Sequence, residues 1–258
     1  MMQVWERLGE QITEWILDYA KSNGITTLVV GVSGGIDSAV TSTLCAKTGL
    51  RTIALSMPIR QIESQSNLSM KHCEWLSSNW NNVEYHIVDL SETFDSISTV
   101  LTEKGADDLS LANTRARLRM ATLYSMASSN NGIVVGTGNK VEDFGVGFYT
   151  KYGDGGVDIS PIADLYKSEV FSLADSLGVM QEIQEAAPTD GLWDDGRTDE
   201  DQIGATYQEL EWAMREVERP SGAELDERQK RVMERYLQLN KANSHKMEPI
   251  PVFKRSDR

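Results

Sequence analysis

The stretch Ser33-Gly34-Gly35-Ile36-Asp37-Ser38 follows an apolar run, Leu28 to Val32, that reads as a doubly buried strand. A strand that turns through glycine into a helix aims several backbone N–H groups and the positive end of the helix at one spot, which suits an anion. The glycines let the backbone approach closely, and the Ser33 and Ser38 hydroxyls can add donors. The plain alternative is a glycine turn in which Asp37 or Ser38 caps the helix. Two better-known phosphate-binding spellings are missing. There is no G-x-x-x-x-G-K-[ST], and neither "GTGNKV" nor "GVGFYT" supplies the third glycine of a dinucleotide fingerprint. A second group, Arg115, Arg117 and Arg119, alternates along a predicted helix, so successive members are rotated by about 200° and fan around it. Such a fan suits two ligands or a subunit interface better than one phosphate, and its plain reading is a solvated basic face.

The elements that would position these groups alternate. Trp5, Leu8, Ile12, Trp15, Ile16 and Tyr19 recur at spacings of three and four, which predicts one apolar helix face ending near Gly24. "TTLVVGVS", "RTIALSM", "VEYHIVDL" and "GIVVGTG" read as strands. Helices are expected from about Ile36 to Lys47, from Leu68 to Trp80 and through "SLANTRARLRMATLYSMAS". The fold class is therefore α/β, a doubly wound parallel sheet with helices on both faces, and ligands on such a sheet bind beyond the carboxyl ends of its strands. A single domain over residues 1–258 is expected, with an extended, proline-stiffened tail from about residue 241. The glycine-rich "FGVGFYTKYGDGGVDIS" and the acidic "APTDGLWDDGRTDEDQ" are candidate lids.

Composition narrows the partners. A net charge of −14 argues against a body that grips nucleic acid, so the basic residues should concentrate at the site of any polyanionic ligand. No apolar run is long enough to span a bilayer and the N-terminus is acidic and amphipathic, so a cytoplasmic protein with no membrane partner is expected. Cys45 and Cys73 lie in predicted helices without ligand-like spacing and read as free, core-packed thiols.

The spelling "SGGIDS" resembles the pyrophosphate loop of the ATP pyrophosphatases, which adenylate a substrate and release pyrophosphate. "NTRARLRM", "GTGNKVED", "FYTKYGDGGVDISPIADLYKSEV", "PTDGLWDD" and the late "SHK" follow in the order seen in NAD synthetases, so the chain resembles that family from Ser33 to near its C-terminus. The resemblance implies that the carboxylate of deamido-NAD attacks the α-phosphate of ATP. Ammonia then displaces AMP from the acyl adenylate to form the amide. Glutamine-using relatives carry an amidase domain ahead of this loop, so direct use of ammonia by a homodimer is expected.

By the same resemblance, ATP contacts fall on Gly31, Ser33, Gly34, Gly35, Asp37 and Ser38, with Arg119, Thr137, Lys167 and Thr189 further along; Met57, after the second strand, is a candidate to touch adenine, with core packing as its plain reading. Asp37 and Glu142 are the expected Mg²⁺ carboxylates. One extra residue separates Glu142 from "TKYGDGG" compared with the family spelling, which keeps the adjacent Asp143 in view. Arg117, Lys151, Asp158, His245 and Lys246 match contacts to deamido-NAD, the last two in their own or a neighbouring subunit. Asp154, between glycines, is the candidate to hold ammonium and accept its proton, and Lys167 to act on the phosphates as charge develops. A tRNA-modifying relative would want a basic surface or catalytic cysteines, and a regulatory ATP-binding module would have no use for "KYGDGGVD".

Overall fold

The computed structural model describes residues 2–60, 63–188 and 198–255. Helix α1 (Met2–Ser22) leads into β1 (Thr27–Gly31), α2 (Ile36–Lys47), β2 (Arg51–Ser56), α3 (Glu63–Asn79), β3 (Val83–Ile87), α4 (Ser91–Thr102), α5 (Asp108–Ser129) and β4 (Gly132–Val134). A π-helical turn (Val141–Val146) follows, then α6 (Lys167–Leu177), α7 (Gln181–Glu185), α8 (Asp199–Ile203), α9 (Tyr207–Glu218) and α10 (Glu227–Met247).

Among the described residues the strands form one parallel sheet in the order β3-β2-β1-β4, with Val29 registered against Ile53 on one side and Val134 on the other. Successive side chains alternate between its faces. Leu28 packs among Ile16, Val40, Leu44 and Leu173 from α1, α2 and α6. Val29, Ile53 and Val134 pack among Phe94, Met120 and Leu123 from α4 and α5. Both faces are thus covered, as a parallel sheet requires. The chain winds outward from β1 through β2 to β3, then places β4 on the opposite side of β1. That reversal opens a crevice beyond the ends of β1 and β4.

Three features differ from the pattern read in the sequence. The buried stripe of α1 is Ile12, Ile16 and Ala20, whereas Trp15 and Tyr19 stay exposed and pair with ring centroids 6.1 Å apart. Helix α4 has no counterpart in that reading, because Phe94 is its one buried residue and the rest of its surface is largely polar. The expected extended tail begins only at Glu248. Asp226 and Gln229 form a capping box that starts α10, and the helix runs to Met247 before Pro249 and Pro251 follow.

The second half of the chain builds its own apolar cluster beside the crevice. Val141 and Val146 of the π-helical turn meet Tyr207, Leu210 and Met214 of α9 and Val232 and Tyr236 of α10. Cys45 and Cys73 are buried and free, with burial pushing both thiols up to about 12. No described helix is long and apolar enough to cross a membrane.

Candidate active site

The glycine turn after β1 leaves a helix end open. Gly35 is the N-cap of α2 in an extended conformation and no side chain caps the first turn. Neither Asp37 nor Ser38 takes the capping role. The Ser38 hydroxyl donates to the Gly35 carbonyl at 2.8 Å and accepts from the Ser33 N–H at 3.2 Å, while the Gly35 N–H donates to Ser33 Oγ at 3.2 Å. The loop is thereby closed on itself with Gly34 at φ +90°, a conformation that favours glycine. The uncapped N–H groups of α2 remain for an anion.

This end faces a cavity of about 650 Å³ at the crevice between β1 and β4. Of the loop residues, Gly31, Ser33, Gly35, Asp37 and Ser38 line it and Gly34 does not. Met57, Arg119, Thr137, Glu142 and Lys167 line the same space, as do Arg117, Lys151, Asp154, His245 and Lys246. Thr189 lies outside the described residues, together with residues 190–197 of the acidic stretch. Asp158 does not line the cavity. Its carboxylate accepts from the Val134 N–H at 2.7 Å and the Tyr124 hydroxyl at 3.1 Å, so within this chain it secures the sheet edge beside β4. Arg115 is also turned away, with its guanidinium 4.7 Å from the Phe94 ring centroid. Lys140 pairs with Asp164 at 3.2 Å outside the cavity.

At the cavity floor Lys167, the first residue of α6 and only 3% exposed, donates to Asp37 Oδ2 and to Glu142 Oε1, the latter at 3.2 Å. Asn139 ties the Asp37 carboxylate to the backbone of the turn that carries Glu142. Its Nδ2 donates to Asp37 Oδ1 at 3.3 Å, and its Oδ1 accepts from the Val141 and Glu142 N–H groups at 3.1 and 3.2 Å. The Tyr207 hydroxyl donates to Glu142 Oε1 at 2.5 Å. Glu211, one turn along α9, accepts from the Ser168 N–H at 2.8 Å and its hydroxyl at 2.7 Å, which fixes the start of α6 and with it Lys167.

Charge in this corner is strongly coupled. Burial raises the Asp37 carboxyl above its ordinary value against the opposing pull of Lys167. Burial also works against the Lys167 charge, yet Asp37 and Glu142 outweigh it and hold the ammonium above its usual range. Asp143 is pushed up to about 8 by burial, with Glu142, Asp154 and Asp37 adding to the effect. Its carboxyl lies where a Cβ on Gly138 would have to go, so residue 138 must be glycine for Asp143 to occupy this place. Glu142, and not Asp143, shares the lysine with Asp37.

Two hard carboxylates converging on a cation fit Mg²⁺, which is commonly held by one or two carboxylates plus substrate phosphates. Among the described residues no group of three or more His, Cys, Asp or Glu could hold a metal alone. A metal here would depend on nucleotide oxygens.

The far end of the cavity is lined from α5, the glycine-rich loop and α10. Lys151 Nζ donates to the His245 carbonyl at 2.9 Å, and Arg117 Nε to the Lys151 carbonyl at 3.3 Å. Lys246 Nζ donates to the carbonyls of Gly147 and Tyr149, the second at 2.7 Å, and burial lowers its pKa against the pull of Asp154. Asp154 accepts from the Thr150 N–H at 3.1 Å. Helix α10 is fastened in place by Asn240 and Asn243, which donate to the Gly145 and Val146 carbonyls at 2.7 and 2.8 Å. His245 and Lys246 therefore reach the cavity of their own chain from the last turn of a helix.

Sequence reasoning missed Asn139, Tyr207 and Glu211. Asn139 lies inside the quoted "GTGNKVED", where its position next to Glu142 was a usable signal. The Thr206–Glu209 capping box marks the start of α9, but nothing in the spelling shows that Tyr207 and Glu211 face the lysine.

The model of the NAD synthase family matches residues 8–250. The NH3-dependent NAD(+) synthetase of Archaeoglobus fulgidus is 37% identical, with 98% of each chain covered. That of Alkaliphilus oremlandii is 36% identical over 97% of this chain and 99% of its own. Among solved structures, an NMN synthetase from Francisella tularensis superposes with a TM-score of 0.85 at 32% identity, covering 96% of this chain and 98% of that one. An NH3-dependent NAD synthetase from Campylobacter jejuni gives 0.78 at 26% identity, covering 97% and 99%.

Proposed function

The chain belongs to the NAD synthase family, and from that membership and its cavity we infer a ligase that amidates deamido-NAD with ammonia at the expense of ATP. The observation that carries this reading is the Lys167 ammonium held between Asp37 and Glu142 beside the uncapped N-terminus of α2. The triphosphate would lie across Ser33 to Ser38, with Lys167, Arg119 and Thr137 around it. Asp37 and Glu142 would hold Mg²⁺, which when bound neutralises phosphate charge.

The nicotinate carboxylate, drawn in by Arg117, Lys151, His245 and Lys246, would form a bond to the α-phosphorus as the bond to pyrophosphate breaks. Ammonia then attacks the acyl carbon, AMP departs with the C–O bond electrons, and Asp154 takes the surplus ammonium proton. The free thiols of Cys45 and Cys73 suit a cytoplasmic enzyme. The homodimer that the family resemblance implies is part of this reading.

The likeness to an NMN synthetase favours a second reading, in which the acid substrate is nicotinate mononucleotide. Single-turnover reactions with each acid, ATP·Mg²⁺, and ammonium or glutamine separate the readings. NAD should form from deamido-NAD with ammonium, faster than NMN from the mononucleotide acid, and glutamine should not replace ammonium. Asp154→Asn should spare formation of the adenylate more than its conversion to the amide, with relief as pH rises and supplies free ammonia. Equal loss of both steps would remove Asp154 from the ammonia site, and preferential use of the mononucleotide would establish the second reading.

A further inference from the structure

We propose that Tyr207 is a positioning residue for Glu142, holding that carboxylate in the orientation in which it meets the cation; the role rests on the Mg²⁺- and ATP-dependent reading above. Tyr207 is the first residue of α9, and its ring is only 5% exposed. Its hydroxyl lies 2.5 Å from Glu142 Oε1 and 3.2 Å from Asp199 Oδ2. A phenol has one proton, and the shorter contact directs it to Glu142. The Lys167 ammonium sits 4.6 Å from the centroid of the same ring. One side chain therefore touches two of the three members of the ion cluster, Glu142 through its hydroxyl and Lys167 through its face.

Glu142 needs such a holder because of where it is built. It lies in a π-helical turn, an irregular element that recurs at functional sites, and its own carboxylate is bonded by side chains from other elements, Lys167 of α6 and Tyr207 of α9. Lys167 and Tyr207 both use Oε1, so neither competes with a cation for Oε2. Tyr207 is itself fixed. Thr206 and Glu209 cap the first turn of α9, and Glu211 one turn along grips Ser168 at the head of α6. A residue that merely filled the core would be replaced without loss by phenylalanine, which keeps the ring and the contact with Lys167.

The test compares the full-length chain with Tyr207→Phe. Binding of Mn²⁺, read by electron paramagnetic resonance in the presence of a non-hydrolysable ATP analogue and no acid substrate, should weaken about ten-fold, the scale expected when a partner orienting a metal ligand is lost. The Mg²⁺ concentration for half-maximal turnover should rise by a similar factor, with turnover at saturating Mg²⁺ and the melting temperature little changed. In a Glu142→Gln background the tyrosine change should add less than about two-fold, because the side chain it orients is no longer a carboxylate ligand. Wild-type Mn²⁺ binding by Tyr207→Phe, or effects of the two substitutions that simply multiply, would overturn the proposal. If Tyr207→Phe fails to fold, Glu142→Asp withdraws the carboxylate from the phenol while leaving α9 intact, and undiminished Mn²⁺ binding by that variant would overturn it equally. A chain that shows the tyrosine-dependent Mn²⁺ binding yet amidates neither acid would support this role and refute the functional reading instead.

Discussion

Lys167 is a buried cation whose neighbours are buried anions, and that arrangement makes its removal informative. Lys167→Met would leave Asp37 and Glu142 facing each other with no ammonium between them. Breaking a buried pair from one side costs about 3–5 kcal/mol, because the remaining charge is uncompensated. If the carboxylates form a divalent-cation site, millimolar Mg²⁺ should restore a large part of that loss in urea denaturation. The wild-type chain without nucleotide should respond much less, since its own ammonium already satisfies both groups. A Lys167→Met protein whose midpoint ignores Mg²⁺ both without nucleotide and with a non-hydrolysable ATP analogue present would show that Asp37 and Glu142 do not hold the metal. At this scale the sequence was readable wherever chemistry has a spelling. Asp37, Glu142 and Lys167 stand in recognisable motifs, and all three line one cavity. Asn139 and Tyr207 were not read, because an amide that links one carboxylate to a distant backbone turn and a phenol that holds another carboxylate have no local signature. Their meaning comes from residues far away along the chain.

The elements follow the alternation of apolar runs closely where both faces of a strand are buried. β1 to β4 all fall within the predicted segments: β1 and β2 are buried along nearly their whole length, as covered faces require, while the edge strand β3 is buried only at Val83 and carries Glu84 and His86. Helices were legible in proportion to what they bury. Helix α2, carrying Ile36, Val40 and Leu44 in the core, was read to the residue, while α4 was passed over although Phe94, Ile97 and Leu101 recur at helical spacing, because it buries only Phe94. Between α2 and α3 lies a polar contact with a pH consequence. His72 Nε2 is 2.9 Å from Ser42 Oγ in a fully buried setting. Burial pushes the imidazole down from 6.5 to about 4, opposed in part by the Ala39 carbonyl. The folded chain therefore binds fewer protons than the unfolded one between those values. The contribution is complete above about pH 6.5 and is lost progressively as pH falls toward 4, which amounts to roughly 2 kcal/mol by pH 5. Urea denaturation at pH 7.5 and pH 5 should show His72→Gln losing less stability on acidification than the wild-type chain, by about that amount. Identical losses in the two proteins would remove His72 as a source of acid sensitivity.

For the molecule as a whole, an acidic body surrounds a cavity lined by Arg117, Arg119, Lys151, Lys167 and Lys246, so a polyanionic substrate meets its favourable charge at the site. Arg115, grouped with Arg117 and Arg119 in the sequence, turns to Phe94 instead, and Lys140, beside a site motif, pairs with Asp164 outside the cavity, because position along a helix or beside a motif does not say which way a long side chain turns. The same limit applied to the C-terminus. Its prolines suggested a strap free to reach a neighbouring subunit, whereas α10 carries His245 and Lys246 back to the cavity of their own chain and is held there by Asn240 and Asn243. This decides the expected result of a subunit-mixing experiment. Chains carrying Asp37→Asn and chains carrying Lys246→Ala should each be impaired. In a mixed dimer built from cis sites, every site keeps one lesion. No activity beyond the sum of the parents should appear once exchange has been verified by mass-labelled subunits. Were Lys246 supplied across the interface, one site of each mixed dimer would combine an intact Asp37 with an intact Lys246, and activity would rise toward half that of the wild type. Such a rise would overturn the cis assignment and require α10 to leave the Gly145 and Val146 carbonyls when two chains meet.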